Sequence, residues 1–251
     1  MKNRKPYDGI KPFVILYNAC NVVLNTYFMV TFLSKTYVGG GYSFICQGIN
    51  FEARDENTMS MLNLLWWYLL VRISDFLDTV FFVLRKKYSH VSFLHVVHHM
   101  LVVYNGCYGL GYGPDGQVIL SLIINCFVHV IMYTYYFLSL LGPTVQKHLL
   151  WKRYLTQLQL AQFTFAFVHM MVPMFMNCGY PRVHIYVTLC EAVFFFTMFT
   201  RFYHNWKNGM RGCVVRKNRQ HGHLLAKLLK NCCCVVECGR RRELLIGEGT
   251  T

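Results

Sequence analysis

The sequence predicts an all-α protein, a polytopic bundle of six transmembrane helices. Of its 251 residues, 55% are hydrophobic, more than the roughly 45–50% of an ordinary soluble domain. A helix that crosses a bilayer needs about 20 mostly apolar residues, and its backbone must be hydrogen-bonded internally. Six segments meet this requirement: 13–33, 61–84, 91–110, 117–140, 154–176 and 184–205.

The distribution of charge is a second observation that predicts this topology. If successive loops alternate between the two sides of a membrane, 20 of the 25 Lys and Arg residues fall on one side, and only Lys35, Arg54 and Arg182 fall on the other. The positive-inside rule then places both termini in the cytosol, which requires an even number of spans. Because topology accounts for the net charge of +14, we expect no nucleic-acid partner.

The chain is expected to contain one membrane domain, residues 1–206, and a basic cytosolic tail, residues 207–251. We expect the tail to be mobile except for a short helix near 224–229. No cleaved signal peptide is expected, because the N-terminal residues lead into a full-length apolar run. Four cysteines of the tail allow either S-acylation or no special role: Cys232, Cys233, Cys234 and Cys238.

Two other cysteines, Cys46 and Cys178, lie in loops assigned to the lumenal side. The longer of these loops is expected to cover residues 34–60. Because that side is oxidising, a disulfide between the two cysteines is one alternative. Two separate thiols are the other, since sequence spacing does not fix the geometry of a bridge.

Ionisable residues occur inside the second span, where they are energetically unfavourable unless they line a cavity or pair with each other. Arg72, Asp75 and Asp78 recur at intervals of three and are predicted to share one helical face. Arg72 and Asp75 could neutralise each other, and Asp78 would need another partner. A functional cavity and a structural ion pair between helices are both consistent with this pattern.

The third span opens with the densest polar cluster, His95, His98 and His99. The spacing predicts that one helical face carries imidazoles. Imidazole can donate or accept a proton, bind a metal or act as a nucleophile near neutral pH. Three such residues within five positions favour a functional site over isolated core histidines.

The fourth and fifth spans each contain a polar stripe. In the fourth span, Asn125, His129, Tyr133 and Tyr136 follow helical spacing. An amide can orient a carbonyl, and His129 can serve as an acid or base. In the fifth span a similar stripe contains Thr156, Gln159, Gln162 and His169. Hydrogen bonding between helices is the alternative for both stripes.

Imidazoles within a bundle that has cations at its rim suit a substrate with an anionic head and a long apolar tail. Arg85, Lys86 and Lys87 follow the second span. They could bind the phosphates of such a head in addition to setting the topology.

Together these motifs resemble the very-long-chain fatty acid elongases of animals, the 3-oxoacyl-CoA synthases. The resemblance runs from about residue 2 to about residue 207, and its motifs occur in the family's order and spacing. They are Lys2-Asn-Arg-Lys-Pro6, the segment from Asp75-Phe-Leu-Asp78 to Arg85-Lys-Lys87, Phe93-Leu-His95-Val-Val-His98-His99, Asn125-Cys-Phe-Val-His129-Val-Ile-Met132-Tyr133-Thr-Tyr135-Tyr136, Thr156-Gln-Leu-Gln159-Leu-Ala-Gln162 and Cys178-Gly-Tyr-Pro181.

The resemblance implies condensation of an acyl-CoA with malonyl-CoA to give a 3-oxoacyl-CoA, carbon dioxide and CoA. It implies that His98 carries the acyl group, that His129 assists decarboxylation and that Asn125 orients a carbonyl, while His95 and His99 shape the site. Substrate contacts are expected from a further set: Arg72, Asp75, Asp78, Arg85, Lys86, Lys87, Tyr133, Tyr136, Gln159 and Gln162.

The resemblance also implies an endoplasmic reticulum membrane location, membrane lipid around the bundle and other elongation-cycle enzymes as partners. A homo-oligomer is one alternative, and neither a metal nor a bound cofactor is expected. Family members usually have a seventh span before Lys2–Pro6, whereas six are expected here. Arg72 and Asp75 stand where Lys and Glu are usual, and Cys126 stands where Ser is usual.

Three rival functions remain open. Membrane di-iron desaturases and hydroxylases also use His-x-x-His-His, but they need several such boxes, and this chain has one. A transporter or receptor-like bundle would explain the charged stripe but not the cluster of imidazoles. The third rival is an inactive elongase that pairs with full-length partners.

Overall fold

The structure is a computed structural model that describes residues 7–50, 53, 55–87, 91, 93–113, 115–146, 149 and 152–220. The chain divides into two units, Met1–Thr197 and Met198–Thr251. The second unit is described as far as Gln220 and is helical to that point. All side chains of the site discussed below belong to the first unit.

The described residues form eight α-helices and no strand, which confirms the predicted all-α class for this part of the chain. The helices are α1 (Lys11–Leu33), α2 (Glu56–Ser74), α3 (Phe76–Leu84), α4 (Phe93–Tyr112), α5 (Val118–Leu140), α6 (Pro143–Gln146), α7 (Lys152–Phe175) and α8 (Arg182–Gln220). A 3₁₀ turn, Asp8–Ile10, precedes α1, and a π turn, Ser34–Val38, extends it.

Four helical segments are long and apolar enough to cross a membrane: Lys11–Val38, Val118–Leu140, Tyr154–Phe175 and Arg182–Arg201. The chain is therefore a multi-pass membrane protein. The other two predicted spans correspond to α2–α3 and α4. Neither is among the four segments; α2 contains Arg72, and α4 contains three histidines and Asn105. A count of six spans is therefore not confirmed.

The prediction of one continuous helix over 61–84 is wrong, because the helix is interrupted at Asp75. Ser74 Oγ donates to the Val71 carbonyl oxygen at 2.8 Å, and the Asp75 amide donates to the same oxygen at 3.2 Å. A side chain that competes for a backbone acceptor weakens the helical ladder. The Asp78 amide then donates to the Asp75 carbonyl at 3.1 Å, which is the tighter spacing of a 3₁₀ turn.

The loop predicted over 34–60 is shorter than expected at both ends. The π turn continues α1 to Val38, and α2 already begins at Glu56. Asp55 determines this start, because its carboxylate accepts from the Thr58 amide at 3.2 Å and from Thr58 Oγ1 at 2.6 Å. Side chains that cap the first turn in this way favour helix initiation.

The predicted tail is helical where it is described. Helix α8 continues to Gln220, so residues 207–220 belong to a helix. The short helix predicted near 224–229 and the cysteine cluster at 232–238 lie outside the described residues, as does the segment Lys2–Pro6.

Helix α1 packs against α5, and the two run antiparallel. The buried face of α1 combines aromatic residues with three asparagines, Asn18, Asn21 and Asn25. Tyr17, near the start of α1, contacts Tyr133, near the end of α5. The opposite face of α1 exposes large apolar side chains such as Leu16 (60% exposed) and Val23 (67% exposed). A lipid environment accommodates such a face, whereas water would not.

Helices α2 and α4 also approach each other closely. A Cβ atom built on Gly106 would overlap Leu69 Cδ1, so the absence of a side chain permits this contact. Small residues have the same role at many helix interfaces in membranes.

Candidate functional site

A cavity of about 240 Å³ lies among α2, α4, α5, α7 and α8. One part of its wall is polar and is formed by one side chain from each of four helices: Arg72, His98, Asn125 and Gln162. From there the cavity continues along α4 as far as Gly113, and most of its wall in this direction is apolar. Such a shape suits a ligand with a reactive end and a long hydrocarbon portion.

His98 is the one member of the histidine cluster that lines the cavity. Its ring packs edge-on against Phe195 of α8, with ring centroids 4.8 Å apart, and against Phe163 of α7, with centroids 6.2 Å apart. These aromatic contacts fix the imidazole plane. His98 therefore lies where a nucleophile could reach a ligand inside the cavity.

His95 and His99 are directed towards α3 instead. His95 Nε2 lies 2.9 Å from Thr79 Oγ1, and the His95 and His99 rings are in contact, with centroids 4.5 Å apart. His99 also contacts Phe76. The spacing alone placed the three histidines on one helical face. In the structure only His98 of the three lines the cavity, whereas His95 and His99 contact α3.

Arg72 occupies the centre of a polar network and is only 2% exposed. One guanidinium nitrogen, Nη1, lies 2.6 Å from His129 Nδ1 and 3.2 Å from Asp75 Oδ2, and Nη2 donates to Asn25 Oδ1 at 2.8 Å. Its guanidinium carbon also lies 5.0 Å from the centre of the Tyr68 ring. Because guanidinium has only donors, His129 must accept from it through an unprotonated nitrogen.

A second part of the network joins α2, α3 and α5. The Tyr133 hydroxyl lies 3.0 Å from Asp75 Oδ1 and 2.8 Å from Asp78 Oδ2. A phenol has a single proton, so it can donate to only one of these carboxyl groups at a time. The other contact requires a protonated carboxyl, and Asp78 is the better candidate because Asp75 has Arg72 as counter-charge.

Asn125 lines the cavity and is oriented from α2, because the Tyr68 hydroxyl donates to Asn125 Oδ1 at 3.0 Å. With its oxygen occupied in this way, Asn125 has its amide NH₂ group to offer to a ligand. An amide donor of this kind can bind a carbonyl or an oxyanion.

The remaining predicted contact residues are more dispersed. Gln162 lines the cavity, whereas Gln159 lies against Met132, with Nε2 3.9 Å from Sδ. Tyr136 packs against Tyr133 with ring centroids 6.0 Å apart. Asp75, Asp78, Tyr133 and Tyr136 therefore belong to the buried structure behind the cavity wall rather than to the wall.

The basic turn Arg85–Lys87 follows the end of α3 and does not line the cavity. Lys86 adopts a left-handed conformation, φ 54°, and the Lys87 amide donates back to the Phe82 carbonyl at 2.8 Å. This turn caps α3 and ends it with three positive charges.

The asparagines of α1 belong to the site, although no motif in the sequence indicated this. Asn18, Asn21 and Asn25 each donate to the carbonyl oxygen four residues earlier, at 2.8, 3.2 and 2.8 Å. Because Asn25 donates through its side-chain nitrogen, its Oδ1 is available to accept a hydrogen bond from Arg72 Nη2. The available signal was the spacing of three amides along one face of an apolar helix. Thr79 and the Asn105–Glu191 pair, which joins α4 to α8, were also missed.

The loops at the far end of the cavity are tied together covalently and by hydrogen bonds. Cys46 and Cys178 form a disulfide, with Cα atoms 5.9 Å apart, so the first of the two alternatives left open by the sequence occurs. Gln117 is fully buried; its amide nitrogen donates to the Ile45 and His169 carbonyl oxygens, and its Oε1 accepts from the Gln47 amide.

The phenol of Tyr42 in the first of these loops has a perturbed pKa. Burial raises the pKa of Tyr42, and its hydrogen bond to the Asp115 carboxylate raises this pKa further. Tyr42 therefore remains a neutral donor to Asp115 and adds a polar tie between the loop before α2 and the loop before α5.

Among the described side chains, no group of three or more His, Cys, Asp or Glu residues is arranged so that it could hold a metal ion. Nitrogen atoms of the histidines are directed to Thr79 and Arg72 instead. A guanidinium group beside His129 would repel a cation at that position.

Comparison with known proteins gives consistent matches over the membrane domain. A model of the ELO family, described as the GNS1/SUR4 family, matches residues 1–210. The chain is 36% identical over 222 residues to very long chain fatty acid elongase 4 of Mus musculus, which covers 88% of this chain and 70% of the mouse protein. It is 37% identical over 203 residues to the Homo sapiens protein of the same name, which covers 81% of this chain and 64% of the human protein.

A very long chain fatty acid elongase of Aedes aegypti is also 37% identical over 203 residues, and the match covers 81% of this chain. The chain spans 56% of the length of the Aedes protein and 64% of the human one. Both the family model and these relatives cover the helices that build the cavity, and on these grounds the chain belongs to the ELO (GNS1/SUR4) family.

Proposed function

We propose that this chain elongates fatty acids by condensing a long-chain acyl-CoA with malonyl-CoA to give a 3-oxoacyl-CoA, carbon dioxide and CoA. The observation that carries this proposal is the position of His98 in the wall of a long, largely apolar cavity, beside Asn125. The names of the relatives, very long chain fatty acid elongases, support the same reaction class.

In the first step a ring nitrogen of His98 attacks the thioester carbonyl of the acyl-CoA. The carbon–sulfur bond breaks, CoA leaves as a thiol after taking up the proton released from the imidazole, and an acyl-imidazole remains. The Asn125 amide is suited to donate to the carbonyl oxygen as negative charge develops on it. The apolar cavity holds the hydrocarbon chain during this step.

In the second step malonyl-CoA loses its carboxylate as carbon dioxide, and the electrons of the broken carbon–carbon bond form an enolate. The enolate carbon attacks the acyl-imidazole, the carbon–nitrogen bond breaks, and the leaving imidazolate takes up a proton from solvent, which regenerates neutral His98. Arg72 lines the cavity and would supply positive charge near this position. His129, whose Nδ1 lies 2.6 Å from Arg72 Nη1, does not line the cavity and would assist decarboxylation through Arg72. His95 and His99 support His98 from the side of α3.

The CoA phosphates are proposed to bind at the basic turn Arg85–Lys87, whose three cations are close in sequence at the end of α3. Gln159 and Gln162 on α7 would contact the polar part of the substrate. Asp75, Asp78, Tyr133 and Tyr136 would act indirectly, by holding Arg72 and α5 in position. No bound cofactor or metal is required by this chemistry.

The proposed topology has six spans, made of the four helical segments named above together with α2–α3 and α4. Both termini would be cytosolic, and the membrane would be that of the endoplasmic reticulum, which supplies the surrounding lipid. Partners would be the reductases and the dehydratase that process a 3-oxoacyl-CoA, and a homo-oligomer is the other assembly considered.

The test is a microsomal condensation assay with labelled malonyl-CoA and a panel of acyl-CoAs, comparing the wild-type chain with His98→Ala and His98→Gln. The glutamine variant preserves polarity and approximate size but cannot serve as the acyl carrier. We expect labelled 3-oxoacyl-CoA from the wild type and a loss of at least about 10³-fold in both variants, as for removal of a nucleophile.

A half-reaction separates the carrier role from other roles of His98. Acyl-CoA without malonyl-CoA should release about one equivalent of CoA thiol per wild-type molecule and none from the variants, since covalent catalysis gives such a burst. Normal turnover by a well-expressed His98→Gln protein would contradict the assignment.

A further inference from the structure

The cavity runs lengthwise between α4 and α8, and contacts between these two antiparallel helices mark both of its ends. At one end the His98 ring of α4 packs against Phe195 of α8, with ring centroids 4.8 Å apart. At the other end His184 Nε2 of α8 lies 3.1 Å from the Tyr112 carbonyl oxygen of α4. An acyl chain attached to His98 would therefore extend along the axis of α4.

The side of α4 that faces the cavity includes a glycine. Four residues of this helix that line the cavity recur at intervals of three and four and therefore lie on one side of it: His98, Val102, Asn105 and Gly109. From His98 to Gly109 the helix advances about 16 Å, at 1.5 Å per residue. An extended hydrocarbon chain advances about 1.2 Å per bond, a third of the length of an extended residue, so Gly109 lies beside about the thirteenth carbon.

The space beside Gly109 is not filled by another helix in the described structure. A Cβ atom built on Gly109 would have no atom within 4 Å apart from its chain neighbours and the backbone of its own helix. At Gly106 the same atom would overlap Leu69 Cδ1, so that glycine permits the contact between α4 and α2. Gly109 has no such packing role, and the missing side chain leaves room in the cavity instead.

A side chain at position 109 would lie across the path of the acyl chain. Because a Cβ atom leans towards the N-terminus of its helix, such a side chain would be directed back towards His98. Beyond Gly109 the cavity continues to Gly113, about 6 Å further along the helix. This distance accommodates about five more carbons of an extended chain.

We infer that Gly109 determines the length of acyl chain that this protein accepts, and that chains longer than about 13 carbons fit because this position has no side chain. The inference rests on the proposed condensation activity and names the substrate class of the same site. It assigns to one residue of α4 a choice between long and short acyl groups.

The competing interpretation is a glycine that serves only the end of α4, since glycine is common where helices terminate. A larger residue at position 109 would then change the use of short and long acyl groups alike. The two interpretations therefore predict different substrate profiles.

The experiment compares decanoyl-CoA, whose chain would end before Gly109, with stearoyl-CoA, whose chain would pass it. The condensation kcat/KM is measured with both substrates for the wild type, Gly109→Ala and Gly109→Leu. We expect Gly109→Leu to lower the ratio of the stearoyl to the decanoyl value by at least about ten-fold, because overfilling a packed cavity is unfavourable by this much or more. Gly109→Ala should lower the ratio less, and the decanoyl value should change by less than about two-fold in both variants.

Gly111→Leu is the matched control. Gly111 also lies on α4 and a Cβ atom there would likewise meet nothing within 4 Å, but this residue is exposed and does not line the cavity. Neither Gly109 nor Gly111 has a positive φ, so leucine can replace either without backbone strain and is the better helix former. The control should keep the wild-type ratio.

Thermal unfolding in detergent gives a readout that does not depend on catalysis. Without ligand, Gly109→Leu should unfold at a temperature no lower than that of the wild type. Added stearic acid should stabilise the wild type and Gly111→Leu more than Gly109→Leu, whereas decanoic acid should stabilise all three proteins equally.

A Gly109→Leu protein with the wild-type ratio would overturn the inference and leave the condensation activity standing. Equal losses with decanoyl-CoA and stearoyl-CoA, or a wild type that uses only decanoyl-CoA, would overturn it in the same way. Absence of product from either acyl-CoA with a well-expressed wild type would overturn the proposed function, and the inference with it.

Discussion

Arg72 joins three helices through one guanidinium group. It contacts Asn25 on α1, Asp75 at the end of α2 and His129 on α5. Desolvation of a buried charge is compensated only when its partners are well placed. The positions of these residues are therefore coupled, and the imidazole of His129 depends on Asn25 and Asp75, neither of which lines the cavity.

Replacement of Arg72 by Met should strongly destabilise the protein, because Asp75 would remain buried without its counter-charge. Breaking a buried ion pair from one side typically costs about 3–5 kcal/mol. The double variant Arg72→Met/Asp75→Leu should be more stable than Arg72→Met alone. Thermal unfolding in detergent measures the difference, and equal or additive losses in the double variant would contradict the coupling.

The sequence predicted the residue types of the site better than their arrangement. His98 and Asn125 were identified and do line the cavity, but the spacing of His95, His98 and His99 suggested one shared face. In the structure, aromatic packing directs His98 towards α8 and a hydrogen bond to Thr79 directs His95 towards α3. Such contacts depend on neighbouring helices, and sequence spacing carries no information about them.

At the scale of elements, the start of α2 depends on one carboxylate. Asp55 accepts hydrogen bonds from the Thr58 amide and hydroxyl. These bonds hold the pKa of Asp55 below its usual value. A carboxyl group with a lowered pKa in the folded state stabilises that state at pH values above its unfolded pKa, and this contribution is lost as the pH falls through the folded pKa.

The variant Asp55→Asn tests this cap. An asparagine can still accept a hydrogen bond at the start of a helix but does not titrate. Between pH 6 and pH 3, the unfolding temperature of the wild type should fall more than that of Asp55→Asn, with the difference appearing below about pH 4. Parallel curves for the two proteins across this range would show that the cap does not depend on the charge.

The interruption between α2 and α3 is an element-scale feature that hydropathy did not reveal. Residues 61–84 form an apolar run long enough for one span, but Ser74 competes for the Val71 carbonyl and the ladder breaks at Asp75. The carboxyl groups of Asp75, at the break, and of Asp78, just after it, both contact the Tyr133 hydroxyl. The hydrogen bond from Ser74 to the Val71 carbonyl therefore accompanies a helix break that hydropathy averaged over a window of residues does not reveal.

The disulfide between Cys46 and Cys178 should contribute about 2–5 kcal/mol to stability, as is typical of bridges that close long loops. Cys46→Ser, Cys178→Ser and the double variant should all lower the unfolding temperature by the same amount, because each removes the same bond. The measurement is thermal unfolding under non-reducing conditions. Unequal or additive losses would show that one of the cysteines contributes in another way.

For the whole molecule, the sequence predicted the helical class and the membrane setting, because both depend on average composition along long segments. The number of spans does not follow from the same information, since four of the six predicted segments are long and apolar enough in the structure. Helices α2 and α4 contain the site's arginine and histidines, which lower their hydropathy. Arg72 and His98, which line the cavity, are thus among the residues that lower the hydropathy of these two helices.

The proposed topology predicts which loops face the lumen. An inserted N-glycosylation acceptor near Gly39–Gly41 should be glycosylated in microsomes, because this loop would be lumenal. The same insertion between α5 and α6, near Gly142, should remain unmodified, because that loop would be cytosolic. The reverse pattern on a gel-shift assay would contradict the orientation, and modification of both loops would contradict the number of spans between them.

The pairing of Cys46 with Cys178 also has a consequence for biosynthesis. The two residues are separated by 132 positions. At about 5–20 residues per second, a ribosome needs about 7–26 s to synthesise the intervening chain. During this interval Cys46 lacks its native partner Cys178, so on the proposed lumenal side it would be open to mixed disulfides with oxidoreductases of the secretory pathway. Pulse-labelled chains halted before residue 178 would therefore be the species in which such a helper is captured.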